Sequence, residues 1–238
     1  YDLVLVTAPG EKRLEKCREY LMAGRIDGIV LAHVGRSGKW VEELLHMHLP
    51  VVAVDFSKPP PELDAMVYDN ESAVQSALEH LRSLGHKRIG FIGSELKRKP
   101  LDSELREAAY IRAMAKAGTP HKPDWLIGGA VMEAAGAETS PVCESAAEQA
   151  VRRISSRKAG DPTAWIAWSD LVAVLTLAGL GRAGVDVPGE VSLMGIDDAE
   201  MCRHVYPSLS SVRHPLSDMG RRAVQVLIER CESELAAA

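Results

Sequence analysis

Polar and charged residues follow the apolar runs of this 238-residue sequence, and they are the first candidates for binding or catalysis. Such groups stand at Asp55, Asp69, Ser169, Asp170, Asp197 and Asp198. Carboxylate and hydroxyl oxygens at these points can hold a small polar ligand through hydrogen bonds. Arg106 adds a planar cation near the start of a predicted helix, where it opposes the helix dipole. We therefore expect Arg106 to have a use other than helix stability.

Motifs for catalysis or cofactor binding are missing or misplaced. Residues 179–184 spell G-x-G-x-x-G, but they follow a predicted helix instead of opening one after a strand, so we predict a helix end and turn. His46 and His48 are two residues apart, which puts them on different faces of a helix. The sequence contains no P-loop, G-x-S-x-G or H-E-x-x-H motif. We expect no catalytic residues, no metal site and no cofactor, and a protein that is not an enzyme.

Short apolar runs alternate with amphipathic stretches along the whole chain, which predicts a mostly parallel α/β sheet, or two of them. The predicted strands are 1–8, 27–32, 50–55, 66–68, 88–93, 126–131, 164–168 and 191–196. The predicted helices are 11–22, 40–47, 70–84, 102–117, 141–157, 170–183 and 216–234. Ligands of such sheets bind at the carboxyl ends of the strands, which is where the candidate residues stand.

Composition excludes several classes of function. The net charge of −5 cannot neutralise a phosphate backbone, so any DNA contact must be made by another segment. The longest apolar stretch is far shorter than a membrane span needs. Four cysteines without a C-x-x-C pair are typical of separate thiols in a reducing compartment. The first residue is Tyr1 and not a methionine, which suggests a fragment of a longer chain.

Six stretches in sequence carry recognisable motifs. They are 25–32 (RIDGIVLA), 50–55 (PVVAVD), 69–93 with GHKRIGFIG at its end, 106–118, 187–198 (VPGEVSLMGIDD) and 206–215 (YPSLSSVRHP). Together they resemble the effector-binding domain of the lactose-repressor (LacI/GalR) family of bacterial transcription regulators. The sequence departs from the family pattern at Phe56, Ala109 and Ser169, where the family usually has Arg, Gly and Asn. The family's DNA-binding headpiece, first β-α unit and last strand are not recognisable.

The resemblance implies a two-lobed, type I periplasmic-binding-protein-like fold. Its lobes would be residues 1–86 with 213–232, and residues 87–212. It also implies a cytoplasmic homodimer that binds a sugar-like effector in the cleft between the lobes, without chemistry on the ligand. Operator DNA would be bound only through a headpiece absent from this chain, under allosteric control, and no membrane is involved. The alternative is a periplasmic sugar-binding protein of an ABC transporter.

The resemblance also assigns ligand contacts. Arg106 would grip ligand hydroxyls or a carboxylate, although it could instead pair with Glu104 or Glu107. Asp197 and Asp55 would accept hydrogen bonds from ligand hydroxyls, although Asp197 could instead cap a helix and Asp55 could start a turn. The remaining expected contacts are Ser169, Asp170, His214 and Asp69, although Asp170 and Asp69 also suit helix starts. As an arginine of a cleft, Arg106 is expected to support no part of the core.

Overall fold

The computed structural model describes residues 1–5, 12–32, 39–47, 49–94, 101–119, 122–128 and 139–237, apart from the side chains of residues 13, 139–143 and 234–237. Its helices are α1 (Lys12–Met22), α2 (Lys39–Leu45), α3 (Asn70–Ser83), α4 (Leu101–Lys116), α5 (Thr139–Ser155), α6 (Asp170–Arg182) and α7 (Leu216–Ala237). Its strands are β1 (Ile29–Ala32), β2 (Val51–Val54), β3 (Asp64–Met66), β4 (Ile89–Ile92), β5 (Leu126–Ile127), β6 (Ala164–Ala167), β7 (Ser192–Asp197) and β8 (Ser210–Arg213). Short 3₁₀ helices are formed by Pro123–Trp125 and Glu200–Arg203.

The chain forms two compact units, 1–68 with 215–238 and 69–214. Residues 69–86 therefore pack with the second unit, whereas the expected lobes placed them in the first. The reason is that α3 packs along α4 and also contacts β8, both of which belong to the second unit. The identity of the units with the two lobes of an effector domain stays a prediction.

The first unit is a three-stranded parallel sheet in the order β1-β2-β3 with helices on both faces. Alternate residues of β2 point to opposite faces, as in any strand. On one face, Val51 and Ala53 pack with Leu14 of α1 and Leu44 of α2. On the other face, β2 packs against Ala223 of α7. The four consecutive apolar residues of β2 are all buried, because both faces of the sheet are covered.

The second unit is a five-stranded parallel sheet in the order β5-β4-β6-β7-β8. The ring of Phe91 in β4 stacks on Tyr110 of α4 with 5.3 Å between centroids, and the Tyr110 hydroxyl donates to the carbonyl of Ile89 at 2.8 Å. A Cβ atom on Gly90 would lie 2.4 Å from the Trp165 ring, so a glycine is needed for the ring to cross β4. The carboxyl ends of all five strands meet at one edge of this sheet.

Most predicted elements are confirmed to within a few residues, and the exceptions have physical reasons. Residues 1–5 were predicted as part of a strand but form none. β8 was not predicted as a strand. It is polar and lies at a sheet edge, so it lacks the buried apolar pattern that marks the other strands. The G-x-G-x-x-G segment does end α6 and turn, with Gly184 at φ 74°, as predicted.

Some expectations fall on residues that the structure does not describe. They concern residues 6–8 and 129–131 of two predicted strands, His48, and the side chain of Cys143. Cys17, Cys202 and Cys231 are free thiols, as predicted for the cysteines. Within the described ranges, no helix combines the length and the apolar character that a membrane span needs.

Candidate functional site

Arg106 lies at the carboxyl edge of the five-stranded sheet, buried with 3% of its surface exposed. Its Nε donates to the Asn70 side-chain oxygen at 2.7 Å. Its Nη1 donates to the carbonyl oxygen of Trp168 at 2.6 Å and to Oδ1 of Asp197 at 3.1 Å. These partners stand at the start of α3, directly after β6 and at the end of β7. One guanidinium group therefore joins three segments that are far apart in sequence.

The burial of this cation is possible because polar groups replace its water. An isolated buried charge is costly, and hydrogen bonds together with an opposite charge offset that cost. The planar fork of arginine suits three acceptors in fixed directions, which one ammonium group could not reach together. The expectation that Arg106 supports no part of the folded core is therefore wrong. That expectation assumed that Arg106 is exposed in a cleft, whereas its side chain is buried inside the second unit.

Asp197 ends β7 in an unusual backbone conformation. Its φ is 139° and that of Asp198 is 55°, values that residues other than glycine rarely adopt. The two carboxylates diverge, because Asp197 pairs with Arg106 while Asp198 pairs with Arg213 at 2.9 Å and Arg203 at 3.5 Å. The following 3₁₀ helix has Ala199 at its N-cap, so Asp197 does not cap it. Asp197 is 31% exposed by side chain, which leaves it within reach of a ligand.

His214 joins this group from the residue after β8. Its backbone N–H donates to the Asp197 carbonyl at 3.1 Å, and its ring Nδ1 lies 3.9 Å from Oδ1 of Asp197. That separation is too long for a hydrogen bond, but it allows an ion pair when the imidazole is protonated. The structure thus brings together three of the expected contacts, Arg106, Asp197 and His214.

Ser169 and Asp170 serve the folded chain itself. Ser169 is the N-cap of α6, and its hydroxyl accepts from the Val172 N–H at 3.5 Å. Asp170 is 1% exposed, and both of its carboxylate oxygens accept hydrogen bonds from within the second unit, from Ser211 and from Ala199. A direct ligand contact by either residue stays a prediction without support from this geometry.

Asp69 and Asp55 are the other two expected contacts. Asp69 is the N-cap of α3 and accepts from the Ser72 N–H at 2.9 Å and hydroxyl at 2.6 Å, which confirms the helix-start reading. These hydrogen bonds from Ser72 lower the pKa of Asp69, since they favour its charged form. Asp55 belongs to the first unit, where it follows β2 with φ 57° and donates its N–H to the Met66 carbonyl.

Two members of the site were missing from the predicted contacts. Asn70 is buried at the start of α3, next to the expected contact Asp69, and in the sequence an amide at this point is typical of a helix start. The Trp168 carbonyl is a backbone group, for which the side-chain sequence carries no signal. The Trp168 indole nitrogen is also buried, and it has no hydrogen-bond partner among the described residues. The site therefore offers charged, amide and imidazole groups around one arginine.

Residues 78–238, more than half of the chain, match the family of periplasmic binding protein-like domains. The chain belongs to that family. The expected resemblance to the effector-binding domains of LacI-family regulators and the expected fold class are thereby confirmed, with parallel sheets flanked by helices. This periplasmic binding protein-like domain is similar to curated transcriptional repressors over 98% of its length. The PurR repressor of Aliivibrio salmonicida is 24% identical, and the ribose operon repressor of Haemophilus influenzae is 28% identical.

The domain spans about two thirds of the length of these relatives, 67% of the first and 66% of the second. Among solved structures, a LacI-family regulatory protein from Chloroflexus aggregans aligns with 95% of the domain and 76% of its own chain, at a TM-score of 0.78 and 24% identity. The CelR–cellobiose complex aligns with 97% of the domain and 67% of its own chain, at a TM-score of 0.77 and 26% identity. The fold of the domain is therefore the one these regulators share.

Proposed function

We propose that this domain is the effector-binding and dimerisation part of a cytoplasmic LacI-family transcriptional regulator. The observation that carries the proposal is the Arg106–Asp197 pair at the carboxyl edge of the five-stranded sheet. Open α/β sheets bind ligands at that edge. The similarity to a PurR repressor and to a ribose operon repressor supports a role in regulation.

The paired charges favour a sugar or a sugar derivative as the effector. Arg106 is 3% exposed and its Nε and Nη1 already donate to protein acceptors, so it orients the Asp197 carboxylate from within. That carboxylate is 31% exposed and can accept hydrogen bonds from the hydroxyls of a sugar. Because the two charges nearly cancel, a neutral or weakly anionic ligand fits better than a strong polyanion. One structural neighbour is a complex with cellobiose and another holds sucrose, which agrees with this class.

A thermal-shift screen over sugars, sugar phosphates and purines tests the proposal. A ligand at 100 times its dissociation constant stabilises the folded state by about 2.7 kcal/mol. For a chain of this size the melting temperature should rise by about 5–10 °C. We expect Asp197→Asn to lose most of the ligand-induced rise, because a neutral amide forms weaker hydrogen bonds with ligand hydroxyls than a charged carboxylate does.

The matched control is Arg112→Ala in the same helix as Arg106, since Arg112 pairs with Glu71 at the surface. That variant should keep the full ligand-induced rise. A ligand whose effect survives unchanged in Asp197→Asn would show that the effector binds elsewhere. For each variant, the ligand-induced rise is the difference between its melting temperatures with and without ligand. This difference is used because Asp197→Asn also loses the ion pair with Arg106, which changes the ligand-free value.

Dimerisation is the second part of the proposal. Helices α5 and α6 approach closely at Gly179, where an added Cβ would lie 2.4 Å from Val151, and they form a groove of about 370 Å³. The groove is lined by apolar residues and by charged residues of both signs, including Glu148 and Arg182. A surface of this kind can pair with its own copy about a twofold axis. Sedimentation that gives only monomer at micromolar concentrations would contradict a homodimer.

DNA binding would belong to a headpiece outside this chain. The 238 residues carry a net charge of −5, so they should show no salt-sensitive affinity for operator DNA. Binding of the effector would then control the headpiece through a difference in affinity between two states of the dimer. A gel shift of this chain at nanomolar concentration and physiological salt would contradict the assignment.

A further inference from the structure

We propose that Asp170 is a positioning residue, which holds the Asp197–Ala199 turn so that the Asp197 carboxylate faces Arg106. The inference deepens the proposed function and rests on it only in so far as the Arg106–Asp197 pair binds the effector. Asp170 itself would not touch the ligand.

The carboxylate of Asp170 is fully engaged inside the second unit. Its Oδ1 accepts from the Ser211 hydroxyl at 2.6 Å, and its Oδ2 accepts from the Ala199 N–H at 2.7 Å. Two donors, one from β8 and one from the turn, thus converge on one side chain that is 1% exposed.

Ser211 extends this contact to the next peptide group. Its hydroxyl oxygen accepts from the Asp198 N–H at 2.9 Å while its hydrogen is donated to Asp170. The two consecutive N–H groups that follow Asp197 are therefore both fixed, one directly by Asp170 and one through Ser211. Because these two peptide planes are held, the direction of the Asp197 side chain is held as well.

The turn needs such support because its backbone is strained. Asp197 and Asp198 have φ values of 139° and 55°, where a Cβ atom is disfavoured. Conformations of this kind persist only when the surrounding structure over-determines them. Asp170 and Ser211 supply that constraint, and the outcome is the 3.1 Å contact between Asp197 and Arg106.

An independent feature shows that the fold is shaped around the Asp170 carboxylate. A Cβ atom on Gly195 of β7 would lie 2.0 Å from Oδ1 of Asp170. Only glycine at this position lets the carboxylate lie against the strand that carries Asp197. Both the donors and the space around Asp170 are therefore arranged for an internal anchor and not for a ligand.

The test compares variants that break the anchor in two ways. In Asp170→Asn, an NH₂ group replaces one of the two acceptor oxygens. It would face either the Ala199 N–H or the Ser211 hydroxyl, both of which donate to the carboxylate in the wild type. Ser211→Ala removes the bridge to the Asp198 N–H, whereas Ser211→Thr keeps the hydroxyl. Val172→Ala is the matched control, because it removes buried volume from the same helix and changes none of these hydrogen-bonding groups.

The readouts require no effector. Amide hydrogen exchange reports the Asp198 and Ala199 N–H groups, and the ¹⁵N-correlated side-chain signal of Arg106 Nε–H reports the site. We expect exchange at both amides to become at least about tenfold faster in Asp170→Asn and in Ser211→Ala than in Val172→Ala. The Arg106 signal should shift in these two variants and stay in place in Ser211→Thr and Val172→Ala.

Two results would overturn the inference. One is exchange at Asp198 and Ala199 that is no faster than in Val172→Ala. The other is faster exchange with an unmoved Arg106 signal, which would make Asp170 an anchor of the turn alone. If Asp170→Asn does not fold, the Ser211 pair decides. Since no ligand is used, failure here differs from failure of the effector proposal, which would appear as absent ligand-induced shifts.

Discussion

Arg106 and Asp197 are 91 residues apart in sequence and their side chains are hydrogen-bonded at 3.1 Å. Arg106 is almost fully buried, whereas Asp197 keeps 31% of its side chain exposed. The carboxylate therefore faces both the guanidinium and the surface. This asymmetry leaves Asp197 accessible from the surface, whereas Arg106 joins three segments of the chain from within.

Replacement of Arg106 by alanine should destabilise the ligand-free protein. The change removes three hydrogen bonds and leaves the oxygens of Asn70, Trp168 and Asp197 without this donor. Loss of one partner of a buried charged contact costs several kcal/mol, and the partial exposure of Asp197 reduces that figure, so we expect a loss of about 2–4 kcal/mol. Urea denaturation at neutral pH measures it.

Arg112→Ala in the same helix is the control for that change. Its partner Glu71 is exposed, so the free energy of unfolding should change by less than about 0.5 kcal/mol. An unchanged stability in Arg106→Ala would mean that the three hydrogen bonds do not contribute to the folded state.

The Asp161→Asn variant should remove part of the pH dependence of stability. Hydrogen bonds from Arg153, both at 2.9 Å, together with one from the Lys158 N–H lower the pKa of Asp161 below its ordinary value of 3.8. A lowered folded-state pKa stabilises the protein fully above the unfolded-state value, and the stabilisation is lost as the pH falls below it. The variant should be less stable by about 1–2 kcal/mol at pH 7.

The difference between wild type and Asp161→Asn should shrink as the pH falls below about 3.8, because the wild-type carboxyl is then protonated in the unfolded chain. Urea denaturation at several pH values between 3 and 7 checks this. Glu148→Gln is the control, since its contact with Arg152 at 3.6 Å is exposed. A stability difference that does not depend on pH would contradict the assignment of the effect to the Asp161 charge.

Two glycine-to-alanine changes should have opposite effects. At Gly90 the new Cβ would overlap the Trp165 ring at 2.4 Å, so we expect a loss of about 1–3 kcal/mol from overpacking. At Gly181 in α6 nothing lies within 4 Å of the new Cβ, so the better helix former should stabilise by about 0.5 kcal/mol. Thermal denaturation of both variants measures the sign. A tolerated alanine at Gly90 would mean that the ring does not cross the strand there.

Cys202 should be inert towards thiol reagents in the folded protein. Burial, together with the nearby Asp170 carboxylate, raises the pKa of its thiol to about 12. Only the thiolate reacts, so the reactive fraction at pH 8 is on the order of one in ten thousand. Labelling with iodoacetamide followed by peptide mass spectrometry should modify Cys202 only after denaturation. Rapid labelling of Cys202 in the native state, at a rate like that of the half-buried Cys17, would contradict the burial of its thiol.

The alternation of strands and helices, the helix end at the G-x-G-x-x-G segment and the family could all be read from the sequence. These features are encoded locally, in the apolar period of each segment, in its turn residues and in motifs that keep a fixed order. The predicted start of α3 agrees with the structure, and that of α4 differs by one residue, at Leu101. Residues 1–5 were predicted to lie in a strand and do not, whereas β8 is a strand that was not predicted. Both predictions failed because strand pairing depends on a neighbouring strand and not on the segment itself.

The site was predictable only as a group of polar residues at strand ends. Asp170 and Asp197 are equivalent in sequence, since each is an aspartate that follows an apolar run. The tertiary structure separates them, because Asp170 meets donors from Ser211 and Ala199 while Asp197 meets Arg106. Such differences arise from contacts between residues 29 to 91 positions apart. Only the folded backbone, with its strained turn after β7, decides which carboxylate is buried and which stays partly exposed beside Arg106.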